Sequence, residues 1–226
     1  MRKGFVIAID GPAASGKSTT ARELAKEMQY IYIDTGAMYR ACGLQTILKE
    51  IRLDDTKALE TMLMMISIRI EYSPAGNHLY LDGKDVTERI READITRLAS
   101  EIAVIKIVRE RMVELQREMG KDGGVIMDGR DIGTVVFPDA DFKFFMIADA
   151  RTRAKRRWLE AKEKGEILDL EEVEKELLWR DKNDSTREHS PLKRAKDAID
   201  IDNSSLTIQQ QTGLMSNIIK RGKIYV

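Results

Sequence analysis

Short apolar runs alternate with longer amphipathic stretches along this chain of 226 residues. The apolar runs are continuous and rich in Ile, Val and Phe, which is typical of strands buried on both faces of a parallel sheet. They predict five strands, at Phe5–Ile9, Ile31–Ile33, Val125–Met127, Phe142–Ile147 and Ala198–Ile201. Apolar positions at threefold and fourfold spacing predict seven helices, at Lys17–Met28, Gly36–Leu48, Thr56–Met65, Ala93–Met119, Ala150–Lys164, Leu170–Asp181 and Leu206–Ile219. The pattern predicts an α/β fold of three layers with a five-stranded parallel sheet.

The stretch from residue 66 to residue 86 breaks this alternation of strands and helices. Residues 67–72 alternate polar and apolar side chains, a Ser-Pro-Ala-Gly-Asn turn follows at 73–77, and residues 78–83 resume a strand-like pattern. Alternation of period two around a connection that contains glycine predicts an antiparallel hairpin. We therefore expect a small antiparallel insertion at 66–86 within a core domain formed by 1–65 and 87–226.

A phosphate-binding motif follows the first predicted strand. The segment Gly11-Pro12-Ala13-Ala14-Ser15-Gly16-Lys17-Ser18 matches G-x-x-x-x-G-K-[ST] at every fixed position. Its glycines let backbone N–H groups and the positive end of the helix dipole face phosphates. Lys17 adds a point charge, and the Ser18 hydroxyl is a hard oxygen ligand that suits Mg²⁺. We expect a nucleoside triphosphate to bind Gly11, Pro12, Ala13, Ala14, Ser15, Gly16, Lys17, Ser18 and Thr19.

Charged residues gather where the predicted strands end. The third apolar run ends in Asp128-Gly129-Arg130-Asp131, at the edge where ligands bind in open α/β sheets. The Asn-Lys-x-Asp segment that a GTPase-type switch needs to read its base does not occur in the chain. A kinase that joins two anionic substrates needs several cations around the transferred group. Candidates are Arg40, Arg130, Arg180 and Arg187, the last two flanking Asp184. Asp128 could orient Mg²⁺ through water or hold one of these arginines.

The segment Arg151-Thr152-Arg153-Ala154-Lys155-Arg156-Arg157 carries five basic residues in seven. Arg153, Arg156 and Arg157 share one face of the predicted helix. This arrangement predicts a mobile helical lid over residues 150–187 that clamps the triphosphate through Arg153 and Arg157. The alternatives are a solvated helix face and the RNA-binding patch of a nucleotide-dependent RNA-binding protein. The absence of an aromatic residue from the segment argues against the RNA-binding patch.

Composition narrows the class of protein further. The 38 basic and 38 acidic residues give a formal net charge of zero, whereas nucleic-acid binding usually shows as a basic excess. The single cysteine, Cys42, excludes an internal disulfide and favours a reducing compartment. No apolar run reaches the length of about 18 residues that a membrane span requires. We expect a cytoplasmic monomer with neither nucleic-acid nor membrane partners.

Taken together, the motifs resemble those of the bacterial cytidylate (CMP) kinases, a branch of the nucleoside monophosphate kinases. The resemblance runs from the phosphate-binding motif to Ala198-Ile199-Asp200-Ile201-Asp202. Its marks are Ile9-Asp10-Gly11-Pro12, Asp34-Thr35-Gly36-Ala37-Met38-Tyr39-Arg40, the long segment from Asp128 to Pro138, and Arg180-Asp181. It implies an Mg²⁺-dependent kinase that transfers a phosphoryl group from ATP to CMP and dCMP. A kinase of another nucleoside monophosphate is the alternative.

The resemblance also implies roles for individual residues. Ser100, Arg109 and Asp131 would read the cytosine base, and the carboxylate of Asp131 would accept from its amino group. Ser100 and Arg109 are nine residues apart on one predicted helix, so they do not project from quite the same face. The acceptor phosphate would bind Arg40, Arg130 and Arg187, and the sugar would bind Arg180 with Asp184. Thr35 and Tyr39 would complete the CMP site, and Lys17, Asp128, Arg130 and Arg187 would serve catalysis.

Overall fold

The computed structural model describes residues 4–73, 76–163 and 165–222 of the chain. The strands are β1 Val6–Asp10, β2 Ile31–Asp34, β3 Ile68–Ser73, β4 Gly76–Leu81, β5 Lys84–Asp85, β6 Val125–Gly129, β7 Phe142–Ile147 and β8 Ile199–Asp202. The α-helices are α1 Lys17–Met28, α2 Thr35–Leu48, α3 Thr56–Met65, α4 Ala93–Ile102, α5 Lys106–Gly120, α6 Ala150–Glu163, α7 Leu170–Thr186 and α8 Ile208–Gly222. Short 3₁₀ and π-helical turns occupy Arg89–Arg91 and Ile132–Val136.

The five predicted core strands form one parallel sheet in the order β2-β6-β1-β7-β8. Both β1 and β6 are buried along their whole length, which explains why their sequences show no polar alternation. Along β1, Val6 and Ala8 join the core under α2, α3, α4 and α5, whereas Ile7 and Ile9 join the core under α1 and α8. Helices therefore cover both faces, and the predicted three-layer α/β fold is confirmed.

A separate antiparallel sheet is formed by β3, β4 and β5. Ile68 lies opposite Leu81 in this sheet, and both are buried in the same core as α2. The Nδ2 of Asn77 donates to the backbone oxygen of Tyr32, 2.7 Å away, and this bond ties β4 to β2. The predicted hairpin is confirmed, with β5 as an additional short strand. Pro74 and Ala75, in the predicted turn, lie outside the described residues.

One predicted helix is wrong, because Ala93–Met119 is two helices. The break at residues 103–105 separates α4 from α5, and Ile105 has the extended dihedrals φ −76° and ψ 119°. Val104 and Ile105 are consecutive β-branched residues, which have a lower helix propensity than unbranched ones. The break leaves the carbonyl of Ala103 free of the α5 ladder, and Arg109 Nη1 donates to it over 3.1 Å. Ser100 and Arg109 therefore lie on two helices rather than one.

The lid helices α6 and α7 contact the phosphate-binding loop. Ala154 of α6 and Val173 and Leu177 of α7 form a small apolar cluster with Ala13 of that loop. Helix α7 begins at the cap residue Asp169, whose Oδ1 accepts from the backbone N–H groups of Glu171 and Glu172. It ends five residues later than predicted, so Asp184 lies on the helix. Across the described ranges, no helix is long and apolar enough to cross a membrane.

Candidate active site

The phosphate-binding loop joins β1 to α1 and has a backbone that only glycine accommodates at two positions. Gly11 and Gly16 have φ values of 152° and 86°. A Cβ atom at Gly11 would lie 2.5 Å from the backbone oxygen of Met146 on β7, so the loop passes too close to the sheet for a side chain. Gly16 is the N-cap of α1 and provides no side-chain cap. The first turn of α1 therefore presents N–H groups suited to an anion.

Lys17 lies at the floor of this loop. Its side chain is buried, and its Nζ donates to the Pro12 carbonyl and, over 3.2 Å, to Ser15 Oγ. Burial and the nearby Arg130 lower the pKa of Lys17 well below its ordinary value, although Asp128 and Asp10 favour its charged form. A bound anion would raise this pKa again, because it favours the ammonium form. The site therefore matches a phosphate group in charge and position.

Asp128 accepts hydrogen bonds from two hydroxyl groups at the end of β6. Ser18 Oγ donates to its Oδ2 over 2.9 Å, and Tyr32 Oη donates to its Oδ1 over 2.8 Å. Burial and the nearby Asp34 raise the pKa of the Asp128 carboxyl, whereas Lys17 and the two hydroxyls favour its ionised form. Within the described ranges, no arginine forms a hydrogen bond or ion pair with Asp128. The contacts associate Asp128 with Ser18, the expected Mg²⁺ ligand, rather than with an arginine.

One cleft of about 580 Å³ contains the loop and the expected acceptor residues. All ten residues expected to bind CMP line it, namely Thr35, Tyr39, Arg40, Ser100, Arg109, Arg130, Asp131, Arg180, Asp184 and Arg187. Asp128 and residues 13–19 of the loop line it too. The fold therefore brings together side chains from six separate parts of the sequence.

Asp184 contacts two of the arginines near the C-terminal end of β6. Its Oδ2 accepts from Arg130 Nε over 2.7 Å, and Arg187 Nη1 lies 3.5 Å from its Oδ1. Burial raises the pKa of the Asp184 carboxyl, but Arg130, Arg187 and Arg180 outweigh this effect and lower it below its ordinary value. Arg180 forms no hydrogen bond or ion pair within the described ranges, and burial and Arg130 lower its pKa. One carboxylate thus faces three cations, which leaves positive charge for an anionic ligand.

Arg109 and Asp131 form a buried ion pair on the other side of the cleft. Arg109 Nη2 donates to Asp131 Oδ2 over 2.6 Å, and the two side chains are only 3% and 6% exposed. The guanidinium also lies 5.3 Å from the ring centre of Tyr39. Among the described residues, Arg109 Nε has no hydrogen-bond partner although it is buried. A buried donor without a partner lowers the stability of the protein, and a ligand that offers an acceptor would remove this penalty. The pair therefore suits a ligand with complementary polar groups.

The remaining acceptor residues occupy the rim and wall of the cleft. Thr35 Oγ1 donates to the backbone oxygen of Asp128 over 2.7 Å, so its hydroxyl is already engaged. Arg40 Nη2 donates to Asp34 Oδ2, whereas Arg40 Nε and the Tyr39 hydroxyl are buried and have no hydrogen-bond partner in the part of the chain that the structure describes. Ser100, at the end of α4, is partly exposed and lines the cleft.

The predicted clamp residues of the lid have different positions. Arg153 is buried, and its Nη1 donates to the Ala13 carbonyl over 3.0 Å and to Asp181 Oδ2 over 2.5 Å. Arg157 lies 3.8 Å from Glu160 in a partly exposed pair. Neither lines the cleft, whereas their neighbour Arg156 does. In this conformation Arg153 therefore supports the phosphate-binding loop from behind.

Sequence reasoning missed a second group of residues that fix this loop. Asp181 Oδ1 accepts from the Ala13 N–H over 3.1 Å. On the other flank, Asn203 is fully buried and donates to the Ser15 carbonyl over 2.8 Å and to Gln211 Oε1. Gln211 in turn donates to Thr20 Oγ1. The only sequence signal for Asn203 is its position directly after the last strand, at the ligand edge of the sheet.

The fold and the cleft define a P-loop kinase. Solved structures with a similar fold include a shikimate kinase from Bacteroides thetaiotaomicron, at 10% sequence identity and a TM-score of 0.50, with 96% of this chain and 98% of that chain covered. Another is an uncharacterized protein from Eubacterium ventriosum ATCC 27560, at 18% identity and a TM-score of 0.52, with 97% and 99% covered. At these identities the likeness shows the fold alone.

The sequence comparisons show the family. The family model for cytidylate kinase matches residues 7–221. The cytidylate kinase of Bacillus pumilus (strain SAFR-032) is 49% identical over 213 residues, which cover 94% of this chain and 95% of the relative. That of Chloroherpeton thalassium (strain ATCC 35110 / GB-78) is 48% identical, with 93% and 91% covered. The chain belongs to the cytidylate kinase family, and it is an ATP-dependent phosphotransferase that acts on CMP.

Proposed function

We propose that the cleft holds ATP on the phosphate-binding loop and CMP or dCMP between the Arg109–Asp131 pair and the arginines. The observation that carries this assignment is the buried Arg109–Asp131 pair, which lines the same cleft as the loop. Phosphate recognition alone needs only cations. A buried donor and acceptor side by side suit the polar edge of a base.

The cytosine base is assigned to Asp131, Arg109 and Ser100. The exocyclic amine of cytosine is a donor and matches the Asp131 carboxylate, whereas its N3 and O2 are acceptors and match Arg109 and the Ser100 hydroxyl. Uracil would place a carbonyl oxygen against Asp131 and leave buried polar groups without partners. A site of this kind rejects the mismatched analogue strongly.

The acceptor phosphate is assigned to Arg40, Arg130 and Arg187, and the sugar to Arg180 with Asp184. Thr35 and Tyr39 line the same cleft and complete the proposed CMP site. The cations around Asp184 exceed its single negative charge, so an anionic phosphate would balance them. The insertion at 66–86, which Asn77 ties to β2, is proposed to close over this acceptor.

Mg²⁺ is proposed to bind beside Ser18 and Asp128. No cluster of three His, Cys, Asp or Glu side chains able to hold a metal occurs among the described residues. The Ser18 hydroxyl and the Asp128 carboxylate, 2.9 Å apart, nevertheless offer the hard oxygen atoms that Mg²⁺ prefers when substrate phosphates supply other ligands. When bound there, the ion would neutralise charge on the phosphates of ATP.

The protein contributes position and charge to the transfer. An oxygen of the CMP phosphate attacks the γ-phosphorus of ATP in line, the bond from that phosphorus to the bridging β-phosphate oxygen breaks, and ADP leaves as CDP forms. The attacking oxygen is already ionised, so no strong general base is needed. Lys17, Arg130 and Arg187, which line the same cleft, stabilise the negative charge on the transferring group. Holding the two phosphates in line removes most of the entropic barrier to their encounter.

The lid residues Arg153 and Arg157 remain proposed ATP ligands. Neither lines the cleft in this conformation, so contact requires α6 and α7 to move relative to the loop. Lid movement of this kind excludes water, which would otherwise hydrolyse ATP. Hydrolysis of ATP without an acceptor should therefore be far slower than transfer to CMP.

The base assignment is tested with Asp131→Asn, which preserves the shape of the side chain but adds an amide donor. We expect the ratio of kcat/KM for CMP to that for UMP to fall by about tenfold or more, because the new donor accommodates the uracil O4 atom. Asp184→Asn is the matched control, since it should weaken both acceptors and leave the ratio unchanged. An unchanged ratio for Asp131→Asn would refute the assignment.

We also propose that the enzyme is a cytoplasmic monomer without a nucleic-acid partner. The net charge of zero supports this proposal, and so do the ion pairs that Arg151, Arg153 and Arg157 of α6 form with acidic side chains. A basic helix neutralised in this way is a poor patch for RNA. Salt-sensitive RNA binding at physiological ionic strength, or a dimer mass in sedimentation, would contradict it.

A further inference from the structure

Asp10 is a buried carboxylate to which the proposed chemistry gives no task. It ends β1 directly before the phosphate-binding loop and is 4% exposed. Its Oδ1 accepts from the backbone N–H of Ile132 over 2.9 Å, and its Oδ2 accepts from that of Gly133 over 2.8 Å. These two residues directly follow Asp131, the residue assigned to the base. Asp10 therefore connects the end of β1, directly before the phosphate-binding loop, to the segment that follows Asp131.

The segment that Asp10 holds is a π-helical turn, a conformation that is rare and often found at functional sites. The turn spans Ile132–Val136, and Asp131 at its start provides no side-chain cap. The carbonyl of Asp131 accepts from the N–H groups of Val135 and Val136 over 2.8 and 3.2 Å. The first two N–H groups of the turn are thus satisfied from outside, by Asp10 alone among the described residues.

The backbone of Asp131 is consequently fixed on two sides. Its carbonyl is held by the π-helical turn, and the peptide that follows it is held by Asp10. The Asp131 side chain is also fixed, by Arg109 at 2.6 Å and by Arg187 at 3.8 Å. Loss of the Asp10 bonds would let the start of the turn shift while these ion pairs pull on the carboxylate.

We propose that Asp10 is a positioning residue for base selection, which holds Asp131 in a fixed place relative to the phosphate-binding loop through the Ile132 and Gly133 N–H groups. This inference rests on the proposed role of Asp131 in reading the base. Asp10 itself touches neither substrate in this assignment. Its effect is on the ratio between acceptors, because selection of a base by hydrogen bonds depends on tenths of an ångström.

The chemistry of the carboxylate explains why this position requires aspartate. An ionised carboxylate accepts at both oxygens, so it satisfies two neighbouring N–H groups at once. Asparagine has the same shape but only one acceptor, and its amide would set a donor against one of the two N–H groups. Burial raises the pKa of Asp10 to about 7, while the two N–H groups and Lys17 favour the ionised form. An assay at pH 8 therefore tests the ionised carboxylate.

The test compares kcat/KM for CMP and for UMP in wild type and Asp10→Asn, with ATP saturating at pH 8. We expect the CMP-to-UMP ratio of Asp10→Asn to fall by about fivefold or more, with the KM for ATP within about twofold of wild type. Asp141→Asn is the matched control. Asp141 Oδ2 accepts from the Val6 N–H over 2.7 Å at the opposite end of the same strand, far from Asp131.

The possible outcomes separate this inference from the proposed function. A wild type that prefers CMP, with a lowered ratio in Asp10→Asn and an unchanged ratio in Asp141→Asn, would support it. A ratio for Asp10→Asn equal to that of wild type, or an equal fall in Asp141→Asn, would overturn it and leave the role of Asp131 standing. A wild type without any preference for CMP would overturn the base assignment, and this inference with it.

A second variant applies if Asp10→Asn does not fold. Asp10→Ala removes both acceptors of the Ile132 and Gly133 N–H groups without setting an amide donor against either of them. We expect the CMP-to-UMP ratio of Asp10→Ala to fall by about threefold. An unchanged ratio in this variant would overturn the inference by itself.

Discussion

Removing the guanidinium of Arg109 should lower the free energy of unfolding, because the buried Asp131 carboxylate would lose the cation that compensates its charge. Arg109→Met keeps much of the length of the side chain but leaves the Asp131 carboxylate without its partner at 2.6 Å. Breaking a buried ion pair by removal of one member costs about 3–5 kcal/mol. Arg187 still lies 3.8 Å from the other carboxylate oxygen, so we expect the lower end of this range. The fall in the free energy of unfolding should be about 3 kcal/mol.

Urea denaturation of four proteins measures this coupling. The set comprises wild type, Arg109→Met, Asp131→Asn and the double variant. The double variant should be more stable than Arg109→Met by about 1 kcal/mol or more, because it no longer contains an uncompensated buried charge. Arg97→Met serves as the control, since Arg97 pairs with Glu101 at 3.4 Å on an exposed face and should cost less than about 0.5 kcal/mol. A cost below 1 kcal/mol for Arg109→Met, or a double variant no more stable than it, would refute the reasoning.

Three further predictions follow from other contacts of the cleft. Asp128→Asn should raise the Mg²⁺ concentration needed for half-maximal activity by about tenfold, and an unchanged Mg²⁺ titration would mean that Asp128 only holds Ser18 and Tyr32. Asp181→Asn should raise the KM for ATP by about threefold or more without altering the CMP-to-UMP ratio, because Asp181 binds the Ala13 N–H of the phosphate-binding loop. The pKa of Asp10 is raised by burial to about 7, with Lys17 and Asp131 as its charged neighbours. Between its ordinary value and pH 7 the folded protein retains a proton that the unfolded chain has released, so this group makes stability fall as pH rises. The free energy of unfolding of wild type, relative to that of Asp10→Asn, should therefore fall by roughly 1.4 kcal/mol per pH unit from pH 5 to pH 6.5. A flat or rising difference in urea denaturation would contradict this prediction.

The sheet and the phosphate-binding loop could be predicted because each depends on local sequence. The apolar runs of β1 and β6 are continuous since both faces of the sheet are covered, and the glycines of the loop reflect backbone positions that exclude a Cβ atom. The break between α4 and α5 could not be predicted from periodicity, because apolar residues continue through Val104 and Ile105. The break frees the Ala103 carbonyl, which accepts from Arg109 Nη1, and this contact is made only in the folded chain.

In the candidate site, too, some residues could be predicted from the sequence and others could not. Resemblance identified the residues that line the cleft, and all ten expected CMP ligands do so. The residues that hold them in place were not predictable, because their partners are distant in the chain. Asn203 is 188 positions from Ser15, and Asp10 is 122 positions from Ile132. Hydrogen bonds across such separations leave no periodic pattern in the sequence.

The arginines of α6 show that residues on one helix face can have different environments in the folded protein. Arg153, Arg156 and Arg157 share a helix face, but they have different environments, since α7 packs against only part of that face. The buried side chain of Arg153 donates to Asp181 of α7. Arg156 instead lines the cleft and donates to the backbone oxygen of Asn203 over 2.7 Å. The periodicity of one helix therefore predicts proximity among side chains but not which of them a neighbouring helix covers.

The cleft is predicted to select nucleoside monophosphates that carry cytosine. A coupled assay of ADP release with ATP and Mg²⁺ tests it most directly, with CMP, dCMP, UMP, AMP and GMP as acceptors for the wild-type protein. We predict that kcat/KM for CMP and dCMP exceeds that for the other three by about tenfold or more. Equal use of UMP would contradict the account, because it would mean that Asp131 and Arg109 do not read the exocyclic amine.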